Sequence, residues 1–275
     1  MDRNQRLKRL RKGKNRGKNV SEVFKLYHED LSNKTILDVG CGHGSLTIDF
    51  AELFKEVHSI DKGERALNAT RKRTENYKNV TVREDNALNI TTTKKKYDIV
   101  HLSGVFEWLR AGNTKKTARQ CHEQFLKNIK KNLKDQGILY SGTENLLFPY
   151  YWLRDPHNNK WPLLTLLPEK LNDALFKLIY NKKYIARIYS YPSLKKMYKK
   201  HYKEVDFYIP IPHYQYVYGF ANINDRKNII KECKKVQSKY KLDLMQKFTV
   251  SWIKNTARLG LIKLLTPGFI TVAKK

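Results

Sequence analysis

Two hydrophobic periods alternate along this chain, and the switch between them marks its elements. Over residues 20–31, Val23, Phe24, Tyr27 and Leu31 recur at helical spacing, predicting a first helix. Residues 35–39 form a short apolar strand that runs into a glycine-rich loop. A helix follows, with Leu46, Phe50, Leu53 and Phe54 on one face. Residues 57–60 form a second strand that ends at Asp61, and 64–76 a second helix. The third strand, 80–82, ends near Asp85, and 97–102 is the fourth. Residues 116–133 then place Phe125, Ile129 and Leu133 on one helical face, and 137–141 close the run as a fifth strand. Strands alternating with helices predict a parallel sheet covered on both faces, with right-handed crossovers.

The second half reads differently. Residues 144–200 are rich in Trp, Tyr, Pro and Leu, and the prolines predict short helices and turns. Residues 205–211 alternate like a strand, 222–262 hold two basic amphipathic helical stretches, and 268–273 form a last apolar strand. The final strand needs the sheet. Segments 144–204 and 222–262 are therefore read as insertions on one domain over 20–275, behind a basic arm at 1–19.

The loop carries the first chemistry. In LDVGCGHG (37–44), Gly40, Gly42 and Gly44 stand at alternate positions, so the chain can turn sharply and approach a ligand. Asp61 ends the second strand, where a carboxylate can accept both hydroxyls of a ribose. A pyrophosphate site wants GxGxxG. Here the pattern is GxGxG after Asp38, whose charge would repel a pyrophosphate and favour a cationic amino acid. That combination suits S-adenosylmethionine.

These residues, with Asp85 and Asn86 after the third strand, resemble the class I S-adenosylmethionine-dependent methyltransferases over residues 34–142, the cofactor-binding core. The resemblance implies a Rossmann-like, doubly wound α/β fold. Its seven-stranded sheet would have a reversed final strand, with helical insertions forming a lid. It also implies that Gly40, Cys41, Gly42 and Gly44 line the methionine moiety with Asp38. Asp61 would take the ribose, Asp85 and Asn86 the adenine side, and Ser103 a place beside the cofactor. A closer resemblance runs through SGVFEWL (103–109), GTEN (142–145), DPH (155–157), WPLLTLLP (161–168) and YSYPSL (189–194). This series is similar to a methyltransferase subgroup associated with glycan and glycoconjugate assembly. Leu146 departs from it, standing where an Arg commonly follows Glu-Asn.

Methyl transfer from a sulfonium is an in-line displacement, and many acceptor hydroxyls also need a base. His157, in a loop beyond the fifth strand, is the first candidate, with Glu144, Asp155 and Glu107 as alternatives or acceptors of substrate hydrogen bonds. Tyr150, Tyr151, Trp152 and Trp161 either stack on sugar faces or form the core of a lid. Cys41, Cys121 and Cys233 make neither a disulfide framework nor a CxxC pair, and no metal cluster is apparent.

Charge widens the choice of partner. Lys and Arg number 55 against 26 Asp and Glu, a net charge of +29. Nine of these cations fall within the first 20 residues, but the excess continues along the whole chain. Such a field favours polyanions. The expectation is O-methylation of a saccharide, glycolipid or related small acceptor, with a lipid-linked glycan and an anionic membrane surface as partners. The alternative is an RNA methyltransferase using the arm and the basic helices, and a third reading is a non-catalytic cofactor binder. No run of about 18 apolar residues exists, and no apolar stretch follows the basic start. The expected location is therefore cytoplasmic, including the periphery of the inner membrane.

Overall fold

The computed structural model describes residues 15–92, 95–153, 157 and 162–275. Most of the basic arm, together with Asp155 and Trp161, lies outside these. Helix α1 (Arg16–Phe24) starts earlier than the apolar pattern predicts. It is followed by β1 (Thr35–Val39), α2 (Thr47–Leu53), β2 (Glu56–Asp61), α3 (Glu64–Thr74), β3 (Val80–Glu84) and β4 (Tyr97–Ser103). Next come α4 (Ala118–Asn132) and β5 (Leu133–Glu144). Strand β1 is buried along its whole length, as expected of a strand covered on both faces. Helix α4 starts where its sequence says it should. The Thr117 hydroxyl accepts from Gln120 N–H while the Gln120 side chain accepts from Thr117 N–H, a capping box.

Beyond β5 the chain forms α5 (Tyr150–Leu153), α6 (Glu169–Tyr180) and α7 (Tyr191–Lys199). It returns to the sheet as β6 (Glu204–His213) and β7 (Tyr216–Asn222), then forms α8 (Arg226–Lys239), α9 (Leu244–Arg258), α10 (Ile262–Leu265) and β8 (Gly268–Lys274). The strand order is β3-β2-β1-β4-β5-β8-β6-β7. Strands β1 to β5 are mutually parallel, and β8 runs antiparallel between β5 and β6.

The α/β architecture and the reversed last strand are as expected, but the sheet has eight strands rather than seven. The addition is β7, a hairpin partner of β6 at the edge. Only Val217 and Ala221 of β7 are fully buried, so its apolar alternation is too weak to stand out. The core lies on both faces of the sheet. One layer joins Phe125 and Ile129 of α4 to Met197, Ile229 and Ile253, and the other joins Phe24 of α1 to Phe50, Phe54 and Tyr140. All the loops that follow the parallel strands therefore open on one edge, where such sheets bind ligands.

Candidate active site at the carboxyl ends of the strands

The glycine loop leaves β1 through Gly40, whose φ of +70° lies in the left-handed region. A Cβ at Gly40 would sit 2.3 Å from Val105 Cγ2, so no other residue fits against the turn that follows β4. Its N–H donates to the Ile60 carbonyl at 2.7 Å, holding the loop against the end of β2. There Asp61 accepts from Gly42 N–H through Oδ2 and from Gly63 N–H through Oδ1, both at 2.9 Å. Each oxygen keeps a second lone pair. Gly40, Asp61, Asp85, Asn86, Gly104 and Trp108 line one cleft. Asp85 pairs with Arg83 at 3.2 Å, and Asn86 ties the cleft's far wall by donating to the Gly112 carbonyl.

Five expected cofactor residues, Asp38, Cys41, Gly42, Gly44 and Ser103, do not line this cleft. Asp38 is buried within the fold and does not line the cleft. Its Oδ2 accepts from the Thr47 hydroxyl at 2.7 Å, and its Oδ1 lies 2.9 Å from His101 Nδ1. A carboxylate at the end of a two-sided strand needs partners within the core, and these two supply them. Cys41 is buried beside Thr70, and burial pushes its thiol pKa up, so it packs as a small apolar group. Gly44 serves packing too, because a Cβ there would meet Thr70 of α3 at 2.9 Å. The Ser103 hydroxyl is buried behind the cleft wall, with no hydrogen-bond partner among the described residues. Gly42 has open space around its would-be Cβ.

The candidate catalytic residues converge. Glu107, in the turn Phe106–Gly112 after β4, and Glu144, the last residue of β5, are both buried. His157 Nε2 lies 3.3 Å from Glu144 Oε2, and its ring stands edge-on to Trp108 with centroids 5.2 Å apart. The three side chains each bring one ligand-capable atom within 4.8 Å of the others, a cluster the scattered sequence positions did not announce. Burial and the neighbouring Glu144 charge push the Glu107 pKa well up. Burial acts the same way on Glu144, but His157, His213 and Tyr214 outweigh it and hold its carboxyl below the usual range.

Two residues of this region carry no sequence signal. Tyr214, between β6 and β7, donates its hydroxyl to Glu144 Oε1 at 2.7 Å and lies 3.4 Å from Glu107 Oε1. The same hydroxyl lies 3.4 Å from the would-be Cβ of Gly104, so it joins the cluster to the cleft. Arg16, read from sequence as part of a basic arm, donates to the Ser45 hydroxyl at 3.2 Å and sits over the Tyr216 ring. Its buried Nε has no partner among the described residues. A half-buried guanidinium against the glycine loop is suited to a carboxylate ligand. Finally, Phe148, Tyr150, Tyr151, Tyr216 and Phe248 line a second, aromatic cleft. Tyr151 and His213 form its wall towards the cluster, with Tyr151 Oη 3.3 Å from His213 Nε2. Tyr150 is exposed there, whereas the Trp152 indole donates to the Leu146 carbonyl and packs into the lid.

A family model described as a methyltransferase domain matches residues 30–205. The ubiquinone biosynthesis O-methyltransferase of Glaesserella parasuis is 30% identical over 129 residues, covering 45% of this chain and 50% of that protein. The malonyl-[acyl-carrier protein] O-methyltransferase of Bacillus cereus is 26% identical over 123 residues, covering 44% and 41%. Among solved structures, PKMT2 from Rickettsia typhi in complex with AdoHcy is similar at a TM-score of 0.49 and 14% identity, covering 88% of this chain and 49% of that one. The chain spans half or less of the length of the curated relatives it matches.

Proposed function

The chain belongs to the methyltransferase-domain family, and on that premise we propose that it transfers a methyl group from S-adenosylmethionine to an oxygen of a saccharide, glycolipid or related small acceptor. The observation that carries this reading is the meeting of Glu107, Glu144 and His157 next to the cleft that Gly40 and Asp61 shape. In it, residues 34–142 are the cofactor-binding core, and 144–204 and 222–262 hold the acceptor.

Asp61 accepts the ribose hydroxyls through its remaining lone pairs, and Asp85 and Asn86 face the base. Arg16 takes the methionine carboxylate, a role that sequence reading had given to no residue. The acceptor oxygen meets the Glu107–Glu144–His157 cluster, where its proton is handled. The acceptor's body lies along the aromatic cleft, whose Tyr and Phe faces suit the C–H faces of a sugar or an apolar aglycone. Alignment and exclusion of water supply most of the rate.

Calorimetric titration with S-adenosylhomocysteine tests the cofactor half. The wild-type chain binds it and Asp61→Ala shows no measurable binding, while both melt at similar temperatures. Unchanged affinity in the variant overturns the ribose assignment. For the acceptor half, labelled methyl from S-adenosylmethionine is expected in an alkali-stable ether on a saccharide-containing extract. Label recovered in RNA instead overturns it.

The surface supports an anionic lipid layer as the place where the acceptor is met. Leu244, Met245 and Phe248 at the start of α9 are 84%, 56% and 52% exposed. Exposed Lys241 and Lys247 flank them. Apolar side chains beside lysines fit a bilayer with anionic headgroups. Among the described residues no helix is long and apolar enough to cross a membrane.

A further inference from the structure

Glu107 is 1% exposed and Glu144 4%. Oε2 of each is buried and accepts no hydrogen bond among the described residues. The other oxygen of both carboxylates faces the Tyr214 hydroxyl. In a chain of net charge +29, no lysine or arginine among the described residues pairs with either one. Carboxylates withdrawn from water need compensating positive charge. Among the described residues the compensating groups are the Tyr214 hydroxyl and the imidazoles of His157 and His213.

We propose that Glu107, Glu144 and His157 hold a divalent metal ion. The three candidate ligand atoms already lie within 4.8 Å of one another, as donors around one ion must. Two carboxylate oxygens and one imidazole nitrogen leave coordination positions open, the mark of a site that binds a reactant. This mixed oxygen and nitrogen set suits Mn2+ or Zn2+. Calcium wants six to eight oxygens, and thiolate-seeking ions find no sulfur here. Tyr214, on both carboxylates and against Gly104, places the ion next to the cofactor cleft.

The consequence for chemistry rests on the methyl-transfer reading, whereas the metal site itself does not. An acceptor hydroxyl bound to the ion loses its proton to water more readily than a free one. Its oxygen then forms a bond to the methyl carbon as the carbon–sulfur bond breaks. The sulfonium takes that electron pair and leaves as the neutral thioether. Two neighbouring hydroxyls of a saccharide can fill two open positions, which selects such acceptors. In this arrangement His157 is a ligand, replacing the base expected from sequence.

The test uses the full chain, stripped with chelator and titrated with Mn2+ while the spectrum of the free ion is followed by electron paramagnetic resonance. One Mn2+ per chain is expected in the wild type. Glu107→Gln and Glu144→Gln should each weaken binding by more than about tenfold. His157→Gln should do the same, and it serves if a carboxylate variant fails to melt cooperatively. Wild type and folded variants binding Mn2+ and Zn2+ equally, or none binding either, overturns the site. S-adenosylhomocysteine titration of the stripped wild type separates the two readings. Metal bound without cofactor keeps the site and removes methyl transfer, and cofactor bound without metal does the reverse.

Discussion

At the residue scale, the glycines of one loop are not equivalent. Gly40 needs both a left-handed backbone and the missing Cβ, because Val105 Cγ2 occupies the space 2.3 Å away. Gly42 shares the backbone, at φ +56°, but nothing lies within 4 Å of its would-be Cβ. Gly42→Ala should therefore cost only the left-handed conformation, about 1–2 kcal/mol of unfolding free energy. It should leave cofactor affinity within a few-fold, since its N–H still donates to Asp61. Gly40→Ala must push either Val105 or the loop, and both line the cleft. It should weaken S-adenosylhomocysteine binding by more than tenfold in the same calorimeter. Equal behaviour of the two variants would show that the loop yields freely and that close packing does not set the cofactor's seat.

At the scale of elements, legibility follows burial. Strands β1 and β8 are buried along nearly their whole length, so their apolar runs stand out in the sequence. Strand β7 has one half-exposed face and does not. The glycine loop is local, eight residues in a row at 37–44, and Asp61 ends the very next strand, so sequence alone could bring Gly40 and Asp61 to one edge. Glu107 comes from the turn after β4, Glu144 from the end of β5 and His157 from beyond it, and only the order of β4 and β5 in the sheet brings them together. The partners of Asp38 were not legible for a related reason: sequence cannot say which neighbours a core carboxylate will meet, and here they are Thr47 and His101.

The lid is anchored by an element-level contact of the same non-local kind. Arg110, buried in the turn that carries Trp108, donates two hydrogen bonds to Asp173 of α6 at 2.7 and 2.6 Å. It also donates to the Tyr184 carbonyl, and Glu169 lies 3.3 Å away. Removing one side of a buried ion pair strands the other. Arg110→Met should lower the unfolding free energy by about 3 kcal/mol in urea. Limited proteolysis should then cut first near α6, because the lid loses its tie to the cofactor turn. A variant as stable and as protease-resistant as the wild type would mean that α6 is held by its apolar contacts alone.

For the whole molecule, the question is what a net charge of +29 is for. Charge alone does not choose between RNA and an anionic bilayer, because both respond to salt. The exposed apolar side chains carry the proposal of a bilayer. Leu244 and Phe248 are one helical turn apart on α9 and exposed, next to Lys241 and Lys247. Burying them in a lipid surface is worth about 1.5–3 kcal/mol each at most, whereas a phosphate track gains nothing from them. The chain should co-sediment with phosphatidylglycerol vesicles at low ionic strength and come off as salt rises. Leu244→Ser with Phe248→Ser keeps every charge, yet should reduce vesicle binding by more than tenfold and leave weak RNA binding untouched. If the double variant holds vesicles as well as the wild type, the attachment is purely electrostatic and α9 does not enter the bilayer. A saccharide acceptor would then reach the Glu107–Glu144–His157 cluster from solution rather than from a lipid anchor.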